Sequence, residues 1–224
     1  MPKSVEIVKE LITPVEGDEA NLTFWERYAA LYPLAMSKND AAFDEICEKA
    51  AAHLAPEMRV LEVACGTGQM TLRLGGRVAS WTATDFSANM IEEAKGASEW
   101  PESVAFEVAD ACALPYEDAT FDAVVIANAL HVMPDPEKAL NEAHRVLVPG
   151  GLLIAPTFVY ESRSPHLSIA IMKLAGFKTF FKWSAAEFAS FVETCGFELI
   201  EKDVVKGKPL HECALIARKH ELDK

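Results

Sequence analysis

The sequence predicts an α/β fold, a parallel sheet covered by helices on both faces, and three observations lead there. Short β-branched or apolar runs alternate with helical stretches, two helices carry complete start and stop signals, and a loop of small residues follows the first run. At 224 residues, half of them hydrophobic and a quarter charged, the chain suits one domain with a sizeable core.

Residues 4–53 read as mainly helical and lie outside the alternating pattern. Strands are expected at Met58–Val63, Ser80–Asp85, Val104–Ala109 and Phe121–Ala127, spaced by helices or loops of suitable length. Asp135-Pro136 supplies a helix cap and a first-turn proline, after which Ala139, Leu140, Ala143, Val146 and Leu147 make one apolar stripe. Pro149-Gly150-Gly151 is expected to stop that helix. Ser184 with Glu187 forms a capping box, followed by Phe188, Phe191, Val192 and Cys195 on one face and Gly196 as the stop. Two closing strands, Phe197–Val204 and Leu210–Arg218, flank a turn at Gly207–Pro209.

Composition narrows the function classes. With 34 acidic against 21 basic residues the net charge is −13, which would repel a phosphate backbone, so no nucleic acid is expected as a partner. Residues 1–15 lack the pattern of a secretory signal and no stretch of about 18 apolar residues occurs, so a soluble cytoplasmic protein is expected. Five scattered cysteines without a C-x-x-C pair argue against disulfides and against a metal site. The sequon Asn21-Leu22-Thr23 is read as chance.

The chemistry concentrates in Val60–Gly68, where small residues fall at 64, 66 and 68 and would let a ligand approach the backbone closely. A dinucleotide loop would need glycine at 69, where Gln69 stands, and no Gly-Lys-Ser/Thr follows to make a phosphate loop. Asp85 ends the second strand 19 positions after Gly66, placed to accept hydrogen bonds from both hydroxyls of a ribose. The competing role, a helix cap, falls to Ser87. After the third strand, Asp110 beside an exposed N–H suits the amino and ring-nitrogen edge of adenine, although such an aspartate also suits a plain turn.

On these residues the chain resembles the class I S-adenosylmethionine-dependent methyltransferases, type-11 group, which includes the ubiquinone and menaquinone C-methyltransferases. The matching motifs span about residues 60–155: Glu62, Ala64, Gly66 and Gly68; Asp85; Asp110-Ala111; and Pro149-Gly150-Gly151. The departure is Ala64 where the family has glycine, tolerable in a turn that keeps φ negative. The resemblance implies a Rossmann-like, doubly wound sheet of seven strands, the last antiparallel, with S-adenosylmethionine across the carboxyl ends of strands one to four. By the same resemblance the glycine-rich backbone holds the methionine moiety and Asp85 the ribose. Phe86 and Met90 flank the adenine read by Asp110 and Ala111, and Asn128 and Ala129 face the sulfonium.

It also implies one domain over 1–224: an N-terminal helical extension (1–55), a cofactor-binding core (56–160), a cap insert (161–183) and a closing helix and strands (184–224). No catalytic residue is assigned. Asn128-Ala129-Leu130-His131 lacks the Pro-Pro-aromatic motif of amino-group methyltransferases, which favours an O, C or S acceptor. His131 is placed either as a general base or as a structural residue capping the Asp135 region. Two segments are assigned to the small-molecule acceptor. Trp25, Tyr28 and Tyr32 stand three and four apart on one helical face. Ser162–Trp183 carries Arg163, Lys173, Lys178 and Lys182, no acidic residue, and the rings Phe177, Phe180, Phe181 and Trp183. That insert suits a hydrophobic or anionic acceptor, with a membrane surface the less favoured partner. The alternatives are a silent cofactor-binding or scaffolding domain and an NAD(P)-dependent oxidoreductase.

Overall fold

The computed structural model describes residues 40–160, 179–207 and 211–220. Trp25, Tyr28, Tyr32, the sequon and most of the cap insert lie outside them. Helix α1 (Asp40–Ala51) leads into β1 (Arg59–Val63) and α2 (Gln69–Leu74). Next come β2 (Ser80–Asp85), α3 (Ala88–Gly96), β3 (Val104–Val108), β4 (Phe121–Val125) and α4 (Pro136–Val146). The chain then runs through β5 (Leu147–Ile154), β6 (Thr157–Val159), α5 (Ala185–Thr194), β7 (Phe197–Val205) and β8 (His211–Lys219). None of the described helices is long and apolar enough to cross a membrane.

The strands form one sheet in the order β3-β2-β1-β4-β5-β8, with β6 and β7 also pairing with β8. Pairings among β1 to β5 are parallel, whereas β8 runs antiparallel to β5, β6 and β7. Leu152–Ile154 pair with Ile216–Arg218, and Thr157–Val159 continue along β8 at His211–Cys213. β6 therefore prolongs β5 past Ala155-Pro156, and the eight strands make the seven-position sheet that the resemblance implies.

Alternation along each strand sends side chains to two cores. Val124 and Ile126 bury against Leu140 of α4 and Phe188 of α5. Ala123 and Val125 face the other way, with Ile46 of α1, Met70 of α2 and Ile91 of α3. This is the two-faced cover expected for a parallel sheet.

The helix starts match their local signals. The Asp135 side chain accepts the Lys138 N–H with Pro136 in the first turn, and Ser184 and Glu187 close a reciprocal capping box. Gly196 takes φ 88° after α5. One stop signal was misplaced: α4 ends at Val146, and Leu147 begins β5 instead of extending the helical stripe. Phe121 pairs with Leu147 and Ala123 with Leu152, so Pro149-Gly150-Gly151 sits in a bulge within the strand.

Candidate functional site

The carboxyl ends of β1, β2, β3 and β4 lie side by side, and the loops leaving them carry most of the residues singled out above. After β1 the backbone turns three times into the left-handed region, at Ala64 (φ 55°), Gly66 (φ 55°) and Gly68 (φ 78°). The expectation of negative φ at 64 is thus corrected. A methyl group there meets the carbonyl oxygen that left-handed backbone brings close, so Ala64 is held by its surroundings. At Gly68 the conformation itself demands glycine, because a Cβ would make ordinary contacts at 3.4–3.6 Å with Trp100, Ala94 and Phe106.

Asp85 binds this loop to β2. Its Oδ2 accepts the Gly66 N–H at 2.8 Å and its Oδ1 the Ser87 N–H at 2.9 Å, while the Cys65 N–H reaches the Thr84 carbonyl at 2.8 Å. Burial raises the Asp85 carboxyl above its usual range, and those two N–H groups pull it back. Each oxygen has a second lone pair, so the carboxylate can accept further hydrogen bonds. Ser87, not Asp85, caps α3, accepting the Met90 N–H.

Glu62 belongs to the motif expected to bind the cofactor. It is 2 % exposed, beneath the loop, where Oε2 accepts the Thr71 hydroxyl and the Trp81 indole N–H. Burial pushes its carboxyl up to about 7. It anchors the loop from below. Met90, expected to flank the adenine with Phe86, is also 2 % exposed. Phe86, by contrast, is 55 % exposed, and Val108, opposite Asp85 in the β2–β3 register, adds a second exposed apolar side chain. Asp110 is exposed at the β3 exit and its Oδ1 accepts the Cys112 N–H at 2.8 Å, while Ala111 packs against the core.

Beyond β4, Asn128 is the third left-handed residue without a glycine's freedom at this edge or in the adjoining loops, with φ 52° like Ala64 and Ala119. Ala129 is buried at the start of a short 3-10 turn, Leu130–Val132. His131 in that turn is 4 % exposed, its Nδ1 lies 3.2 Å from the Thr157 hydroxyl, and its ring meets Phe158 edge-on. Burial holds the imidazole down at about 4, so it is neutral at physiological pH. Its contacts tie it to β6, and the Asp135 side chain caps α4 without it.

The end of the insert joins here: the backbone N–H groups of Phe180 and Phe181 both donate to the His131 carbonyl, at 3.1 and 3.2 Å. Phe181 stacks on Trp183, which stacks in turn on Phe191 of α5. Phe180, Phe181 and Trp183 line an open hollow of about 630 Å³ with Lys182 and Glu187. Lys182 Nζ lies 5.9 Å from the centre of the Tyr160 ring.

Two buried oxygens lack a hydrogen-bond partner here, Thr67 Oγ1 in the loop after β1 and Asn128 Oδ1 after the adjacent β4. Such orphans are rare in finished interiors and suit a polar ligand lying across both strand ends. Sequence reading missed Thr67, as well as Trp81 and Thr71, which hold Glu62. It also missed Glu212, whose one signal is a charge immediately before the apolar run Cys213–Ala217.

Comparison with known proteins fits this geometry. Residues 61–155 match the model of a family described as a methyltransferase domain. This segment is similar to methyltransferase domains. S-adenosylmethionine is the cofactor of such domains. A demethylmenaquinone methyltransferase of Staphylococcus aureus (strain MRSA252) is 43 % identical over 115 residues, 50 % of this chain and 46 % of that protein. The chain thus spans about half the length of the curated relatives it matches. Among solved structures, a Burkholderia thailandensis 1,6-didemethyltoxoflavin-N1-methyltransferase with its substrate and S-adenosylhomocysteine bound superposes with TM-score 0.72. It shares 20 % identity and 93 % of each chain is covered. The [4+2]-cyclase SpnF gives TM-score 0.68 at 23 % identity, covering 80 % of this chain and 81 % of that one. At these identities the two structures show a shared fold, and the activities they are named for differ.

Proposed function

We propose that the protein binds S-adenosylmethionine across the carboxyl ends of β1 to β4 and transfers its methyl group to an oxygen, carbon or sulfur of a small apolar or anionic acceptor. The observation that carries this reading is the left-handed run 64-66-68 with the Asp85 carboxylate bound to its centre. That run presents bare backbone where a charged, hydroxylated ligand needs hydrogen bonds rather than side chains. The cofactor supplies a methyl carbon already activated by positive sulfur. The chain's part is then to bind, orient and exclude water.

In this reading backbone N–H groups of the loop hold the methionine end, with Thr67 Oγ1 as an added partner. Asp85 receives the ribose hydroxyls through its remaining lone pairs. Phe86 and Val108 form an apolar wall for the adenine, and Asp110 and Ala111 read its edge. Glu62 and Met90 support these groups from beneath, and the Asn128–Ala129 backbone faces the reacting sulfur. Helix α2 has only six residues, so individual N–H groups outweigh its dipole as a source of positive potential.

The acceptor side is assigned to Phe180, Phe181 and Trp183, with Lys182 as a cation. A ring-bearing acceptor is favoured, because stacked aromatics offer a flat apolar surface and the Staphylococcus aureus relative is named for a quinone substrate. Trp25, Tyr28 and Tyr32 complete this proposal for the acceptor side. With its imidazole buried and weakly basic, His131 holds the 128–131 loop to β6 and takes no proton.

Calorimetry with S-adenosylmethionine, S-adenosylhomocysteine and NADH tests the first half, and tighter NADH binding would sink it. Transfer of a deuterated methyl group to quinols, phenols, carboxylates and thiols, read by mass spectrometry, tests the second. Cofactor binding with no transfer to any of these would favour the silent, scaffolding role.

A further inference from the structure

Asn128 is the hinge between β4 and the 128–131 loop, and two bonds fix it. Its backbone N–H donates to the Pro156 carbonyl at 2.8 Å, and its side-chain Nδ2 donates to Oε2 of Glu212, also at 2.8 Å. Asparagine tolerates the left-handed region better than most residues, but it still prefers other backbone states when nothing restrains it. Glu212 is the restraint. It is fully buried (0 % exposed) in β8, opposite Phe158 of β6 and Val205 of β7. Its charge also reaches Cys47 of α1, whose thiol is pushed up to about 12 mainly by burial, with Glu212 among the smaller contributions. The carboxylate therefore sits inside the α1 face of the sheet, in a strand whose next five residues, Cys213–Ala217, are apolar. A buried carboxylate that is bound to a named partner fixes that partner's geometry, and removing it alone leaves the partner without its acceptor.

We propose that Glu212 is a positioning residue: through the Asn128 amide it holds the left-handed backbone at 128, so that the Asn128–Ala129 peptide keeps its orientation at the cofactor site. The inference rests on the reading that this site takes S-adenosylmethionine. Replacing Glu212 by methionine keeps the volume and removes the acceptor. Glu212→Met is expected to melt below the wild type, because the Asn128 amide loses its buried acceptor, and to bind S-adenosylhomocysteine about tenfold more weakly by calorimetry, the effect of one lost buried hydrogen bond. Glu212→Gln keeps an oxygen that accepts the Asn128 N–H and should recover most of that loss. In an Asn128→Gly background, where the backbone reaches φ 52° without help, Glu212→Met should cost nothing further.

Wild-type affinity in Glu212→Met, or a Glu212→Gln protein as weak as Glu212→Met, would overturn the assignment. If Glu212→Met does not fold, Asn128→Ala carries the test from the other end of the bond: about tenfold weaker binding supports the role, and unchanged binding overturns it. A wild-type protein that does not bind S-adenosylhomocysteine would remove the cofactor reading and this inference together. Wild-type binding with an unaffected Glu212→Met would remove only the inference.

Discussion

Ala64 stands where the chain pays for its loop geometry, since left-handed backbone costs a non-glycine residue about 1–2 kcal/mol. Glycine there gives back part of that gain by loosening the unfolded chain, so Ala64→Gly should stabilise the protein by about 0.5–1 kcal/mol in urea unfolding. Glu62 and His131 make opposite predictions for pH. Burial raises the Glu62 carboxyl from 4.5 to about 7, so the folded chain holds a proton that the unfolded one releases. The resulting stabilisation is complete below pH 4.5 and is lost as pH rises through 7. Glu62→Gln, which still accepts from Thr71 and Trp81, should exceed wild type by about 2–4 kcal/mol at pH 8 and by little at pH 4. An equal gap at both pH values would refute this. His131 is held down from 6.5 to about 4, so its contribution is present above pH 6.5 and lost as pH falls through 4. His131→Gln should escape about 2–3 kcal/mol of the acid destabilisation that wild type suffers between pH 7 and 4. The motif spacing located Glu62 and Ala64 along the chain. It could not tell that Glu62 and Met90 turn inward or that φ at 64 is positive, because spacing orders neighbours in sequence and leaves their facing to the packed strands.

Elements were legible where their signals are local. Ser184 with Glu187 and Asp135 with Pro136 fix helix starts through groups three residues apart, and both helices begin there. The β5 entry was not legible, because Leu147 belongs to the strand only through its partner Phe121, a distant residue. β6 was missed for the same reason: three residues count as a strand only beside β8. The bulge that carries Pro149-Gly150-Gly151 is tightly filled. A Cβ on Gly151 would stand 2.9 Å from the Val148 carbonyl oxygen and 3.2 Å from that of Asp122, and backbone atoms cannot swing aside as a side chain can. Gly151→Ala should therefore destabilise by about 1–3 kcal/mol, whereas Gly96→Ala, which meets nothing within 4 Å, should not destabilise through packing. Thermal unfolding of the two variants separates these outcomes.

The reversal of the last strand followed from the family resemblance, whereas the strand order, with β8 beside β5, was not legible, because periodicity cannot say which strands are neighbours. For the molecule as a whole, a ligand bound only by the folded form should raise its stability by about 2.7 kcal/mol at a hundredfold excess over the dissociation constant. For a chain of this length that corresponds to about 5–10 °C in melting temperature, the shift expected with S-adenosylhomocysteine and absent with NADH. The place of β8 also has a consequence for biosynthesis. It fills the slot between β5 and β7, and its side chains complete both cores, with Leu215 on one face and Ile216 on the other. Ile154 must wait for Ile216 to leave the ribosome, several seconds at about 5–20 residues per second, and until then the β5 edge and the undersides of two helical layers face solvent unpaired. A nascent chain stalled before β8 is thus the form of this protein in which a chaperone or a neighbouring nascent strand finds its binding surface.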